Sequence, residues 1–130
     1  MRGRNKGVDS LPLVCYNKSM KGVSEMKKGE VWLVDLSGRI GSEQTGYRPC
    51  LIVQDNKGAS NSPTVVVCPI TSRDKTFHLT HVPVDLLKPS TILCEQIVTV
   101  DKSRMGKYLV AVDAEVLAQV REKIMIVLGM

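Results

Sequence analysis

Up to Val100 the apolar residues arrive in short runs rich in Val, Ile and Thr; after Asp113 they change to a helical spacing. That change of period constrains the fold more than any other feature of the chain. Strand side chains alternate between two faces, whereas helix side chains return to one face every 3.6 residues. The segments EVWLVDL (30–36), RPCLIVQD (48–55), TVVVCPIT (64–71), LTHVPV (79–84) and STILCEQIVTV (90–100) predict strands, the last of them the longest. Pro83 marks 79–84 as an edge strand, because proline has no N–H to give a ladder. A short helix or turn is expected over 101–107. Asp113 suits a helix N-cap, and Val116, Leu117, Val120, Ile124, Val127 and Leu128 fall on one helical face. Short strands followed by one packing helix predict a mainly β domain, a small barrel with a C-terminal helix.

The 130 residues allow one such core and not two. Residues 1–25 read as a flexible basic extension, and 26–130 as the folded domain. The extension carries Arg2, Arg4, Lys6, Lys18 and Lys21 against Asp9 and Glu25, so most of the +5 net charge lies there. It reads equally as a true tail or as the product of a start assigned upstream of Met26. Basic charge attracts polyanions, although a solvated surface accounts for it as well. With one Trp, one Phe and three Tyr, the chain is poor in platforms for stacking bases. Cys15, Cys50, Cys68 and Cys94 form no CxxC pair, which argues against a zinc site and for buried thiols in a reducing compartment. No run approaches a membrane span, and LPLVCY (11–16) is too short for a signal-peptide core, so a cytoplasmic location is expected.

The chain holds no phosphate-binding glycine loop, no HExxH, no GxSxG and no acidic cluster for magnesium. Chemistry here must come from side chains alone, and RNA cleavage permits that, since the substrate carries its own 2′-hydroxyl nucleophile. The loop GSEQTGYRP gathers Glu43, Gln44 and Arg48 at the entrance to a strand. Arg48 has the fixed charge and forked donors that suit a phosphate, and suits a surface ion pair equally. Thr71 closes the run VVVCPIT, where its hydroxyl serves either the local backbone or a phosphate. His81 in its alternating strand reads as structural, and His78 more so.

Taken together, GEVWLVDL, GSEQTGYRPCLIVQDN, SPTVVVCPITS and STILCEQIVTVDKSR make the chain from about Lys28 onward resemble the MazF/PemK/Kid family of toxin endoribonucleases. The motifs are specific as an ordered set. The resemblance implies an SH3-like barrel, a homodimer and metal-independent, sequence-specific cleavage of single-stranded RNA, the messenger included. It implies 2′,3′-cyclic phosphate and 5′-hydroxyl ends, and inhibition by a cognate MazE-like antitoxin. Residue by residue, it carries the family's catalytic arginine onto Arg48, its threonine onto Thr71 and its loop acid onto Glu43. Glu43 serves equally to orient Arg48 or to shape the loop. Ser42, Gln44, Ser72, Arg73 and Lys75 are the expected RNA contacts, with Gln44 read also as a group that orders the loop and Arg73 and Lys75 equally as part of a solvated loop. A second reading is a non-enzymatic toxin like the gyrase poison CcdB, which is similar in fold; Arg48 before Pro49 and Thr71 after Pro-Ile favour the nuclease.

Overall fold

A computed structural model describes residues 26–41, 43–57, 62–72 and 78–130; the expected extension, 1–25, lies outside the described residues. The strands are β1 (Glu30–Asp35), β2 (Tyr47–Ile52), β3 (Thr64–Thr71), β4 (His81–Asp85), β5 (Pro89–Leu93), β6 (Val98–Asp101) and β7 (Met105–Ala111). One long helix, α1 (Ala114–Leu128), follows them. Every pairing is antiparallel, in the order β4-β5-β3-β2-β1-β7, with β6 added beside β3. The mainly β architecture with a C-terminal helix agrees with the expected class. Among the described residues the hydrogen-bonded path stays open, with β4 and β7 as its ends.

β3 is the hub. One edge pairs with β2 through Cys50↔Pro69, Leu51↔Cys68 and Ile52↔Val67. The other edge is shared: Thr64–Val67 pair with β6, and Ile70 and Thr71 pair with β5. The β-branched composition of TVVVCPIT fits a strand bonded on both sides and buried on both faces.

Alternation along the strands builds two cores. Cys50, Ile52, Val65 and Val67 join Trp32, Val34, Leu36, Met105 and Tyr108 on one face. Leu51, Cys68 and Ile70 join Val31, Val82, Ile92 and Cys94 on the other, where Val120 of α1 seals them and Val116, Leu117 and Ile124 pack alongside. Trp32 meets Tyr108 edge to face at 6.0 Å. Its indole N–H donates to Glu30 Oε1 at 3.0 Å, so the buried ring keeps its polar partner.

The helix is capped as expected: the Asp113 carboxylate accepts from Val116 N–H at 3.0 Å, and Gly129 ends the helix at φ 71°. Its last apolar position differs, because Leu128 is exposed rather than packed. Gly29 ties the helix end of the sheet together. It sits at φ +95°, donates to Ile52 O and accepts from Val112 N, and a Cβ there would stand 3.1 Å from Leu117 Cδ1.

Two strand expectations are corrected. The predicted strand 90–100 is broken by a 3₁₀ turn at Cys94–Gln96, because the chain passes there from β4 and the end of β3 to the start of β3. The Cys94 N–H bonds Thr80 O, and the Ile97 N–H closes the turn onto Cys94 O. The turn expected over 101–107 is confined to Lys102–Arg104, and β7 begins immediately after it. Gly106 and Lys107 interrupt the apolar pattern that would have marked that strand.

Candidate active site

The pairing register assembles the site. Thr71 lies opposite Thr91, and Thr91 lies opposite Pro83. Carrying the β2–β3 register two residues beyond Cys50↔Pro69 brings Arg48 opposite Thr71. Thr71, Thr91 and Pro83 thus form one row across three strands, and directly opposed residues share a face; Arg48 falls on the extension of that row past the end of the β2–β3 ladder. Arg48 and Thr71 have the parity of Cys50, Ile52, Val65 and Val67, so their row lies on the face away from α1. Arg48 is half-buried, and its Nε donates to Thr45 O at 3.0 Å, which steers the guanidinium; among the described residues no bond is made by its two terminal amino groups. Thr71 is only 5% exposed.

The loop before Arg48 is held from two sides. Glu43 Oε1 accepts from Ile40 N–H at 3.0 Å, and Glu43 N–H donates back to Ile40 O at 3.2 Å. Among the described residues the Glu43 carboxylate therefore bonds its own loop rather than Arg48. Gln44 N–H donates to Gln96 Oε1 at 2.8 Å, while the buried Gln44 Oε1 has no partner among the described residues. Ser72 is exposed directly after Thr71. Ser42, Arg73 and Lys75 lie outside the described residues.

The 3₁₀ turn is a junction that sequence reasoning passed over, although its Glu-Gln pair stood in the ordered motif. Gln96 holds the Arg48 loop. Glu95 is gripped at both oxygens: Thr80 Oγ1 donates to Oε1 and His81 Nε2 meets Oε2, each at 3.0 Å. His81 is 5% exposed, and its ring lies 4.6 Å from that of His78. Burial alone would raise the Glu95 carboxyl, but the bonds from His81, its own backbone N–H and Thr80 outweigh it and hold the group below the ordinary glutamate range.

Cys50, Cys68 and Cys94 are buried free thiols, as expected. Burial pushes Cys50 up to about 12, against the pull of the nearby Arg39 guanidinium. A hydrogen bond with Cys94, together with burial, pushes Cys68 up as well. These thiols are core rather than nucleophiles. Among the described residues no three His, Cys, Asp or Glu side chains converge as metal ligands.

A small antiparallel sheet with a helix on one face, and an arginine and a threonine at strand ends on the side of the other, defines a mainly β protein with a cation and a hydroxyl beside its second core. Residues 27–128 match the family described as PemK-like, MazF-like toxin of type II toxin–antitoxin system, and the chain belongs to that family. It is 42% identical over 111 residues to Endoribonuclease MazF of Staphylococcus saprophyticus, covering 81% of this chain and 92% of the relative. The crystal structure of MazF from Deinococcus radiodurans superposes with a TM-score of 0.71 at 29% identity, covering 81% of this chain and 97% of that one. An endoribonuclease in complex with its cognate antitoxin from a mycobacterial species gives a TM-score of 0.70 at 25% identity, covering 81% of this chain and 96% of that one.

Proposed function

We propose that this protein is an endoribonuclease, the toxin of a type II toxin–antitoxin pair, and that it cleaves single-stranded RNA at the row formed by Arg48 and Thr71. Family membership supports the endoribonuclease activity, and the cross-strand register supports the residue assignment. In the reaction the 2′-oxygen attacks the neighbouring phosphorus, a 2′-O–P bond forms and the P–O5′ bond breaks. The 2′ proton leaves, another reaches the departing O5′, and the products are a 2′,3′-cyclic phosphate and a 5′-hydroxyl. Negative charge builds on the phosphoryl oxygens as five oxygens crowd the phosphorus. The terminal amino groups of Arg48 supply fixed positive donors there, and Thr71 places a hydroxyl across the row.

Glu43 serves this chemistry by clasping the loop that delivers Arg48. Gln44 and Ser72 flank the row and contact the RNA; Ser42, Arg73 and Lys75 belong to the same two loop segments by sequence and extend the contact. The active unit is a homodimer, restrained by a MazE-like antitoxin, and it acts in the cytoplasm. No helix among the described residues is long and apolar enough to cross a membrane. The reading as a non-enzymatic, CcdB-like poison is not favoured, because the matched family and the named relatives are MazF-like endoribonucleases.

The test is incubation of purified protein with defined single-stranded RNA in EDTA, followed by mapping of the ends. Cleavage that persists under chelation and leaves 5′-hydroxyl ends is expected. Failure to cut any RNA, or loss of cutting under chelation, would overturn the reading.

A further inference from the structure

Beside the catalytic row lies a cleft of about 310 Å³ that none of the chemistry above uses. Buried Leu36 and Val100 form its floor, and Arg39, Arg104, Thr99 and Asp101 stand around it. Its lining carries two arginines against one carboxylate, Asp101, and that carboxylate already accepts from Ser103 N–H at 2.8 Å. Arg104 Nη1 donates to Asp35 O at 3.0 Å and Ser37 O at 3.2 Å, which fixes the start of the loop. Arg39 differs. Its Nε is buried and has no hydrogen-bond partner among the described residues. That N–H is closed off from solvent, so an acceptor in the cleft is met by the terminal amino groups of the same half-buried guanidinium, which is a permanent cation with donors suited to an anion.

We propose that this cleft is a second phosphate subsite, in which Arg39 takes a backbone phosphate of the RNA adjacent to the one held by Arg48. The proposal rests on the ribonuclease reading. Its support is the continuity of the two places. Leu36 has the parity of Val34, which pairs with Arg48, so the cleft opens on the same face of the sheet as the catalytic row. The Leu36 N–H donates to Gly46 O at 2.8 Å, which locks the cleft edge beside the strand that carries Arg48. Two residues along a strand and one interstrand spacing put the Leu36 edge roughly 8 Å from Arg48, a span that a flexible phosphodiester chain bridges between nearby phosphates. A peptide carboxylate would also satisfy a guanidinium, but nothing about a peptide requires it to pass Arg48, whereas a substrate strand must.

The experiment measures binding of a single-stranded RNA made uncleavable by 2′-deoxy substitution at the scissile nucleotide, titrated across salt with the full-length protein. Cleavage of the unmodified RNA is followed in parallel. Arg39→Gln is expected to flatten the slope of log K against log salt by about 0.7, the release accompanying one lost phosphate contact on a single strand. It should weaken binding about tenfold at low salt and raise KM while kcat at saturating RNA stays near wild type. Arg121→Gln, an exposed charge on α1, controls for net charge and should leave the slope unchanged. Circular dichroism checks that the variant is folded, and Arg39→Lys should restore much of the slope. An unchanged slope and KM in folded Arg39→Gln overturns the subsite while wild-type cleavage keeps the enzyme reading intact. Equal flattening by Arg121→Gln overturns it as a bulk charge effect. Weakened binding of an acidic antitoxin peptide with RNA binding intact reassigns the cleft to a protein partner. If wild type neither binds nor cuts RNA, the enzyme reading and the subsite fall together.

Discussion

Arg48 sits where a glycine-flanked loop enters a strand, and its reach is set by one bond, Nε to Thr45 O. Truncation to Arg48→Ala removes the fixed cation while leaving the ladder of β2 in place. Single-turnover cleavage should fall at least ~10²-fold, with thermal unfolding little changed. Thr71→Val keeps the shape and removes the hydroxyl, so cleavage should fall while stability shifts by only about 1 kcal/mol. Near-native rates in either variant would show that the wrong residue has been placed on the phosphate. Arg48 was legible as a cation in a polar loop before a buried strand. Thr71 was not distinguishable by local physics from any strand-end hydroxyl. What joins them is register, and register depends on pairings between segments far apart in the chain. Arg39 was invisible for a related reason: its proposed role comes from the cleft that it lines with Thr99, Asp101 and Arg104, which only the packed structure brings together.

At the scale of elements, the helix was the easiest to read, because a 3.6-residue period and an aspartate cap act locally. Asp113→Ala should cost about 1 kcal/mol, seen as a lower midpoint in urea with an unchanged slope. β1 to β5 were visible as apolar runs. β7 was not, since Gly106 and Lys107 break its pattern, and its place is earned by pairing with β1. The long strand expected at 90–100 failed for a topological reason. A single run of β-favouring residues says nothing about whether the chain must change neighbours midway, and here it does, at Cys94–Gln96. That corner gives the site two of its supports, Gln96 on the Arg48 loop and Glu95 on β4.

For the whole molecule, acid is an informative stress. The Glu95 carboxyl is held below its ordinary value of 4.5, so the folded state takes up that proton less readily than the unfolded chain. The stability it contributes is therefore present above about pH 4.5 and is lost as pH falls through the depressed folded value. Asp35 and Asp101 are depressed too, chiefly by hydrogen bonds from Ser37 and Ser103, so total stability in acid mixes several groups. Comparing wild type with Glu95→Gln isolates one of them. The wild-type advantage in urea denaturation should be constant near neutrality and shrink as pH drops below the ordinary glutamate value. A gap that stayed constant into strong acid would show that the His81 and Thr80 contacts do not hold the charged form.

β3 is bonded along both edges, to β2 on one side and to β6 and β5 on the other, and Thr71 is its last residue. A strand anchored on both sides is a poor place for change. On the proposed assignment, the threonine that meets the substrate thus belongs to one of the most firmly held parts of the chain. Such an arrangement ties the proposed cleavage step to the central ladder of the sheet, so that a change in which nucleotide sequence is cut has to come from positions off that strand.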